Sequence, residues 1–480
     1  MTPDTSIPLL GAFRPDNELA RGPQARHSHS DYLHAVWALA EALPAGRHVL
    51  NFCKDRYRFL VGLGACLVAQ KISLMPSTRT LAVLRQIQDH YPETFCLHDG
   101  EGFGELCADA DARDRPAIAL FPYPVDLKPG AGVTPEMPLI PSAQVAAYVF
   151  TSGSTGTPQP HAKRWGSLIG SAQAEAQALD LGTRTWALVG TVPSQHMYGF
   201  ESLLMLTLQG GCSLWVGHPF YPADITAAIA SVARPRMLVT SPTHLRALLA
   251  GQVDFPSVDK LLCATAPLAA DVVLQAERTL GAPLYEIYGC TETGQIASRR
   301  SAQTATWRLF PRVQIEQRQG QTWAHGGHVL QPTPLADILE SRDPGHFLLI
   351  GRSSDLINIA GKRNSIAHVN HALLSIPGVI DGCMFVPDAV AHPGRAAASD
   401  AAADPAISSD STRLCAVVVA PQMNAAQILR ALRKQLDPAF LPRPVILVQS
   451  LPRNPTGKLP RDALHEILRL HLQAGQVGQR

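Results

Sequence analysis

The sequence predicts an α/β protein: a large N-terminal domain of several sheets, built from parallel α/β subdomains plus a small β-barrel, followed by a small α+β C-terminal domain. Three observations carry that expectation. From His48 to Tyr288, short apolar strand candidates alternate with segments of helical periodicity, the rhythm of a parallel sheet. From Thr306 to Gly345 the rhythm gives way to short Gln/Gly/Pro-rich pieces that suit a small barrel, and beyond Gly351 a second composition begins. A chain of 480 residues with 46% hydrophobic content has length for about three domains and material for a large core. The boundary is placed between a domain of residues 1–353 and one of residues 354–480.

Taken in order, Asp31 to Leu43 reads as an Ala/Leu-rich helix that leads into a buried strand at His48 to Phe52. Arg58 to Gln70 reads as a helix, Ile72 to Met75 as a strand and Thr80 to His90 as a helix. Glu105 to Pro141 is rich in Asp, Pro and Gly and reads as a surface connection. Strands follow at Trp186–Val192, Ser213–Val216, Arg236–Thr240, Lys260–Ala264 and Leu284–Tyr288, with helices at Ala223–Val232, Thr243–Ala250 and Ala270–Leu280. So many strands rarely share one sheet, hence the expectation of several. The C-terminal part offers strands at Val379–Val386, Cys415–Pro421 and Val445–Val448 and a helix at Ala425–Leu436. Within it, Ala396 to Asp410 is a low-complexity run expected to be a disordered loop.

Composition excludes several classes of function. With 41 basic against 39 acidic residues the net charge is +2, too little field for nucleic acid as a partner. The apolar run near Phe59 to Ala69 is too short to span a bilayer, and Met1 to Asn17 lacks the basic segment and apolar run of a signal peptide. Nine cysteines lie scattered without a Cys-x-x-Cys pair, which suits reduced thiols in a cytoplasmic protein. His325 and His328, or His368 and His371, have metal-like spacing but no acidic or thiol partner completes either set, so surface histidines are expected.

One stretch organises the rest. Tyr148-Val149-Phe150 runs into Thr151-Ser152-Gly153-Ser154-Thr155-Gly156, where hydroxyls alternate with glycines that let backbone N–H groups turn toward an anion. Trp165, Leu168, Ile169, Ala172, Ala176 and Leu179 recur at helical spacing beyond it, and the dipole of that helix is expected to add to the attraction for phosphate. The Gly-Lys-Ser/Thr ending of a Walker loop is absent. A flexible connector can have the same composition, so the loop needs support from elsewhere.

That support is Tyr288-Gly289-Cys290-Thr291-Glu292-Thr293-Gly294, then Gly351 to Arg363, then Leu451-Pro452-Arg453-Asn454-Pro455-Thr456-Gly457-Lys458, with weaker matches at Pro193 to Gly199 and Ala264 to Leu268. Together with the loop, these stretches resemble the signature motifs of the adenylate-forming (ANL) superfamily of acyl-CoA synthetases, peptide-synthetase adenylation domains and luciferases. The resemblance covers roughly residues 30 to 470. It implies an acid–thiol ligase that uses ATP and Mg²⁺ to convert a carboxylic acid to an acyl adenylate and passes the acyl group to a pantetheine thiol, on CoA or an acyl carrier protein. Residues Thr151 to Gly156 would hold phosphates, Thr291 the α-phosphate and Glu292 the Mg²⁺. Tyr288 and Gly289 with Ala264, Thr265, Ala266 and Pro267 would hold adenine, and Asp337 and Arg352 the ribose. Lys458 would neutralise charge in the chemical step, on a mobile small domain hinged at Ser354 and Asp355, with Gly361, Lys362 and Arg363 beside the thiol tunnel. The acid would meet His196, Met197, Tyr198 and Gly199, an apolar environment with few fixed charges, and His196 could contact its carboxylate.

That environment favours an aromatic acid, such as a hydroxybenzoate or cinnamate, or a short to medium fatty acid over an amino acid. The compact length and the sequence Thr157-Pro158-Gln159-Pro160-His161 look like stand-alone ligases of bacterial polyketide and aryl-polyene pigment clusters. Arg430, Arg433, Lys434, Arg443 and Arg453 could meet an acidic carrier protein or form an ordinary solvated face; monomer and homodimer both stay open. The pattern is broken at Gln159, where the family usually has lysine and Lys163 follows four residues later, at Ser354 in the hinge, and at Leu335-Ala336 before the ribose aspartate. Those departures keep a second reading in play, a weakened adenylate-binding scaffold.

Overall fold

In the computed structural model, the described residues are 5–76, 78–100, 118–124, 134–152, 158–182, 184–251, 253–352, 356–359, 362–387, 413–453 and 459–477. The run Ala396–Asp410 lies outside them. By packing, the chain divides into two compact units, Met1–Leu335 with Ser341–Leu348, and Ala336–Glu340 with Leu349–Arg480.

The large unit holds two main sheets. In the first, Ala119–Pro122, Thr94–His98, His48–Asn51, Ile72–Met75 and Val145–Ser152 run parallel, and Pro158–Arg164 closes one edge antiparallel to Val145–Ser152. The second sheet has eleven strands. Its parallel centre runs from Ser213–Trp215 through Ala187–Gly190, Arg236–Thr240 and Lys260–Cys263 to Leu284–Cys290. The central strands are apolar and buried because helices cover them, as parallel sheets require. Pro222–Ala230, Pro242–Ala250 and Ala270–Leu280 bury Ile225, Leu245 and Val273 against Leu238, Leu261 and Leu284. Each of these helices starts where an extended residue ends the strand rhythm, and Ala270–Leu280 stops at Gly281, whose φ of +66° suits a helix terminus.

Several elements differ from the sequence reading. The helix expected right after the Ser/Gly loop begins only at Trp165, because Pro158–Arg164 is a strand that returns antiparallel along Val145–Ser152. Seven residues of strand put the helix start about 20 Å from the loop, so its dipole does not act there. The connection read between Glu105 and Pro141 contains the edge strand Ala119–Pro122 and the strand Leu139–Pro141, which pairs with Ser6–Pro8. The expected barrel region gives a three-stranded antiparallel meander, Gln314–Arg318, Gln321–Gly326 and Val329–Pro334. Its flanks, Trp307–Leu309 and His346–Arg352, extend the eleven-stranded sheet instead of closing a barrel.

In the smaller unit Asp381–Phe385, Cys415–Val419 and Val445–Leu447 form one sheet. The period of two divides its central strand: Ala416 and Val418 pack toward the helices Ile366–Leu374 and Ala425–Leu432, while Cys415 and Val417 pack toward Arg461–Val477 through Leu464 and Leu468. The small α+β architecture follows from that alternation. The eight described cysteines are all free, and no helix among the described residues is long and apolar enough to cross a membrane.

Candidate active site

Two hairpins meet in the large unit. One is the Val145–Ser152/Pro158–Arg164 pair, with Ser152 opposite Pro158 at its tip. The other joins Leu284–Cys290 to Gly294–Arg299 through the turn 291–293. Gly289 is required in that second hairpin because a Cβ there would stand 2.3 Å from the Gly294 carbonyl oxygen. Gly294, at φ +76°, closes the turn in a conformation that side chains avoid, and a Cβ on it would meet Glu201 Oε1 at 2.6 Å.

Strand alternation puts His161 and Lys163 on one face of Pro158–Arg164, and both reach the turn. Lys163, 6% exposed, donates from Nζ to the carbonyl oxygens of Thr291 and, at 3.2 Å, Glu292. Burial pushes its ammonium below the usual lysine range against the pull of Glu201. His161 Nε2 lies 3.0 Å from Thr151 Oγ1 and 3.8 Å from Glu292 Oε1. Burial also lowers the His161 pKa. Glu292 is half exposed; burial raises its pKa, but hydrogen bonds and the charges of His161 and Lys163 outweigh this and hold it below the usual glutamate range. It is an ionised oxygen donor at the surface of the turn, the chemistry a hard divalent cation takes. Burial pushes the thiol of Cys290 beside it up to about 11, which favours the protonated form.

Beneath the turn lies a buried acidic network. Glu201, on the wide helical turn Phe200–Met205, accepts from Ser171 Oγ at 2.7 Å and from the Gln295 backbone N–H at 3.1 Å. Burial pushes its carboxyl up to about 7 despite Lys163. Glu175 accepts from Ser202 Oγ at 2.6 Å, and the Gln295 amide, oriented to satisfy its neighbours, donates to it at 2.9 and 3.1 Å. Burial pushes Glu175 up to about 8. Both carboxyls are fully enclosed yet hydrogen-bonded, as buried polar groups must be.

A cavity of about 200 Å³ opens among these groups, walled by Lys163, Met197, Glu201, Glu292, Gly294 and His328. Its wall carries both signs, and of the stretch expected to meet the acid it takes in Met197. His328, expected on the surface, is 6% exposed, and its Nε2 has no hydrogen-bond partner among the described residues. Burial, with the Lys163 charge, drives its pKa down to about 4 against a backbone contact at Gln295, so the ring is neutral near pH 7. His325 is half-buried, 3.7 Å from Glu316, and His371 is exposed.

The remaining candidates fall as follows. Met197 lines the cavity and His196 is half-buried just before it, whereas the Tyr198 hydroxyl donates to the Leu262 carbonyl at 3.0 Å and Gly199 is buried. The Tyr288 ring packs 5.6 Å from Trp307 and 5.4 Å from Phe347 and is 7% exposed. Ala264 and Thr265 are half-buried and Ala266 and Pro267 exposed, with Thr265 at φ +87°, a strained value for a β-branched residue. In the smaller unit Asp337 opens the strand Asp337–Asp343, and Lys362 pairs with Asp437 at 2.6 Å. Arg352 ends its strand and Arg363 lies in Lys362–Ser365. Arg453 is removed from the proposed basic face: its guanidinium grips Asp381 at 2.6 and 2.7 Å. Gly153, Ser154, Thr155, Gly156, Ser354, Asp355, Gly361 and Lys458 lie outside the described residues.

Sequence reasoning missed His161, Glu175, Glu201, Ser171, Ser202 and Gln295 as parts of this site. A signal existed for two of them. Ser171 and Glu175 sit four apart inside the apolar stripe of Trp165–Ala178, where a polar pair needs a buried partner.

The fold and this meeting of hairpins define an AMP-binding enzyme: the model of that family matches residues 12–320, and the chain belongs to it. Its relatives are named for acid–CoA ligation. It is 31% identical over 246 residues to a 4-coumarate–CoA ligase of Rhodobacter capsulatus, covering 49% of this chain and 60% of that protein. To a 4-chlorobenzoate–CoA ligase of Arthrobacter sp. it is 25% identical over 426 residues, 77% of this chain and 75% of that protein. The chain spans 60% and 55% of the two bacterial 4-coumarate–CoA ligases it matches. Among solved structures, ATP-bound MatB from Rhodopseudomonas palustris superposes with a TM-score of 0.76 at 20% identity, over 95% of this chain and 96% of that one. The AMP complex of the o-succinylbenzoate-CoA synthetase MenE from Bacillus subtilis gives 0.74 at 18%, over 93% and 95%. These two establish the shared fold.

Proposed function

We propose that the protein is an acid–thiol ligase of the AMP-forming kind, acting on an aromatic acid. The observation that carries the reading is the clasp between the two hairpins, in which Lys163 and His161 fix the Thr291–Glu292 turn against the strand that ends in Thr151 and Ser152. An ATP bound across such a clasp would have its terminal phosphates at the loop 151–156 and its α-phosphate at Thr291. Glu292 would hold Mg²⁺, which neutralises phosphate charge when bound. Tyr288, Gly289 and the stretch Ala264–Pro267 would take adenine, and Asp337 and Arg352 the ribose diol.

In the first half-reaction a carboxylate oxygen of the acid attacks the α-phosphorus and pyrophosphate leaves, giving acyl adenylate. In the second, a pantetheine thiol attacks the acyl carbon, loses its proton and releases AMP. Positioning and charge neutralisation supply most of such catalysis, which is the part assigned to Thr291, His196 and Lys458. The names of the relatives, 4-coumarate and 4-chlorobenzoate ligases, support an aromatic acid and CoA as acceptor. A carrier protein presents the same thiol and stays the alternative acceptor.

The test is ATP–pyrophosphate exchange with hydroxybenzoates, cinnamates and medium-chain fatty acids. Exchange with aromatic acids, abolished in Lys458→Ala while ATP affinity persists, supports the ligase. ATP binding with no exchange for any acid supports an adenylate-binding scaffold instead.

A further inference from the structure

We infer that Arg56 is a positioning residue for the acid: its guanidinium holds the carbonyl of Val192 and so fixes the turn 193–199 that presents His196 and Met197 to the substrate. The inference rests on the ligase reading above, in which that turn receives the acid, and adds to it a residue from a helix of the first sheet.

Arg56 opens the helix Arg56–Val68, which follows the strand His48–Asn51, and it is 0% exposed. Its two side-chain acceptors belong to the second sheet. Nη1 donates to the Gly217 carbonyl, just past Ser213–Trp215, and Nη2 to the Val192 carbonyl at 2.8 Å, just past Ala187–Gly190. Those two strands are parallel neighbours, and Arg56 spans their carboxyl ends, the edge at which open α/β sheets take their ligands. A guanidinium is a rigid planar fork, so it sets the spacing of the two carbonyls as well as capping them.

The cost of this arrangement argues against a part in folding alone. Burial pulls the guanidinium down to about 9 against the attraction of Asp55, which leaves it charged near pH 7. Nε has no hydrogen-bond partner among the described residues. Enclosing such a charge is expensive, and neutral donors suffice to join two sheets. They already do so here. The Arg56 backbone N–H donates to the Val216 carbonyl at 3.1 Å, and His218 Nε2 lies 2.6 Å from the Lys54 carbonyl, to which a ring N–H donates. These bonds hold residues 216–218, so what the guanidinium adds is Val192.

Val192 acts on the site through its own carbonyl. That oxygen belongs to the planar Val192–Pro193 peptide, and the proline ring fixes the torsion that follows, so an orientation imposed at Val192 is carried through Pro193. The Pro193 carbonyl then accepts from the His196 N–H at 3.4 Å, and the His196 carbonyl from the Phe200 N–H at 2.8 Å. Gly199 lies against the same turn, where a Cβ would stand 2.1 Å from the Pro193 oxygen. The Tyr198 hydroxyl ties the far end of the turn to the Leu262 carbonyl at 3.0 Å. A shift of the Val192 peptide therefore moves His196, and a displacement of about 1 Å at reacting groups costs on the order of 100-fold in rate.

The experiment measures ATP–pyrophosphate exchange by the full-length wild type, Arg56→Met, Arg56→Lys and His218→Ala. Acid and ATP are varied separately, using whichever hydroxybenzoate, cinnamate or medium-chain fatty acid the wild type exchanges best. Arg56→Met should raise KM for the acid roughly 10- to 100-fold and leave KM for ATP unchanged. Arg56→Lys keeps the charge but not the fork, and should lie nearer to Arg56→Met than to the wild type. His218→Ala loosens the junction of the sheets without touching Val192 and should leave both KM values unchanged. Loss of folded enzyme lowers kcat alone, so a purely structural role does not imitate this split. Four results each overturn the inference and leave the ligase reading intact: a fall in kcat with both KM values unchanged, equal rises in both KM values, a His218→Ala effect on the acid KM as large as that of Arg56→Met, or failure of both Arg56 variants to fold. No exchange by the wild type with any acid overturns the ligase reading, and the inference with it.

Discussion

Replacing Glu175 by Gln should remove a loss of stability of the large unit that the wild type suffers as pH rises from 6.5 to 8. In the folded chain burial lifts this carboxyl from 4.5 to about 8, so the fold holds its proton more tightly than the unfolded chain does. The stabilisation from such a group is complete below the unfolded value and is lost as pH rises toward the folded one. Glu201 behaves alike up to about 7. Histidines with lowered pKa, among them His328 and His218, act in the opposite sense as the unfolded ring titrates around 6.5, and they do so equally in the wild type and the variant. Thiols begin to matter near 9.0. The difference between the wild type and the variant across the window from pH 6.5 to 8 therefore isolates Glu175. At about 1.4 kcal/mol per pH unit for one proton, Glu175 accounts for about 2 kcal/mol across it, with a smaller part from Glu201 confined below pH 7. All six tryptophans lie before residue 335, so urea unfolding followed by tryptophan fluorescence reports on the large unit. The variant should match the wild type near pH 6.5, where its amide imitates the protonated acid, and should be more stable at pH 8. Parallel pH profiles for the two proteins would refute the burial argument.

Lys163→Met leaves two carbonyls without a donor and Glu201 without its cation, and should lower the large unit's stability by about 3 kcal/mol in the same urea assay; adding Glu201→Leu should recover part of it. Gly294→Ala must fit a Cβ at φ +76° and against Glu201, so it should cost about 1–3 kcal/mol and depress pyrophosphate exchange together with the melting temperature. Arg453→Ala leaves Asp381 half-buried without its bidentate partner and should destabilise the smaller unit by about 1–2 kcal/mol, seen as faster amide exchange in Asp381–Phe385.

How much of this was legible depended on which periodicity each segment obeys. Ile72–Met75, Arg236–Thr240 and Ala270–Leu280 could be read to the residue because each is an apolar run or stripe bounded by polar or breaking residues. The strand Pro158–Arg164 could not: Pro-Gln-Pro-His-Ala-Lys-Arg has no apolar alternation, and it holds two prolines because it is an edge strand with one side unpaired. That omission hid the site's organisation, since only a strand places His161 and Lys163 on one face. The motif residues Thr291 and Glu292 were visible from their spacing to other motifs. The network beneath them was not, since Glu175 and Glu201 come from separate helices and acquire their roles through Ser171, Ser202 and Gln295 in three dimensions. That packing also brings Lys163, Glu201, Glu292 and His328 onto the wall of one cavity.

The grip of Lys163 on two successive carbonyls also sets a direction. In a planar trans peptide the N–H points opposite to the C=O. With the oxygens of Thr291 and Glu292 turned down to the ammonium, the N–H groups of Glu292 and Thr293 are turned up. Successive amides aimed one way form a shallow electropositive bowl. A cation sealed beneath the turn thus fixes the side on which negative charge collects above it.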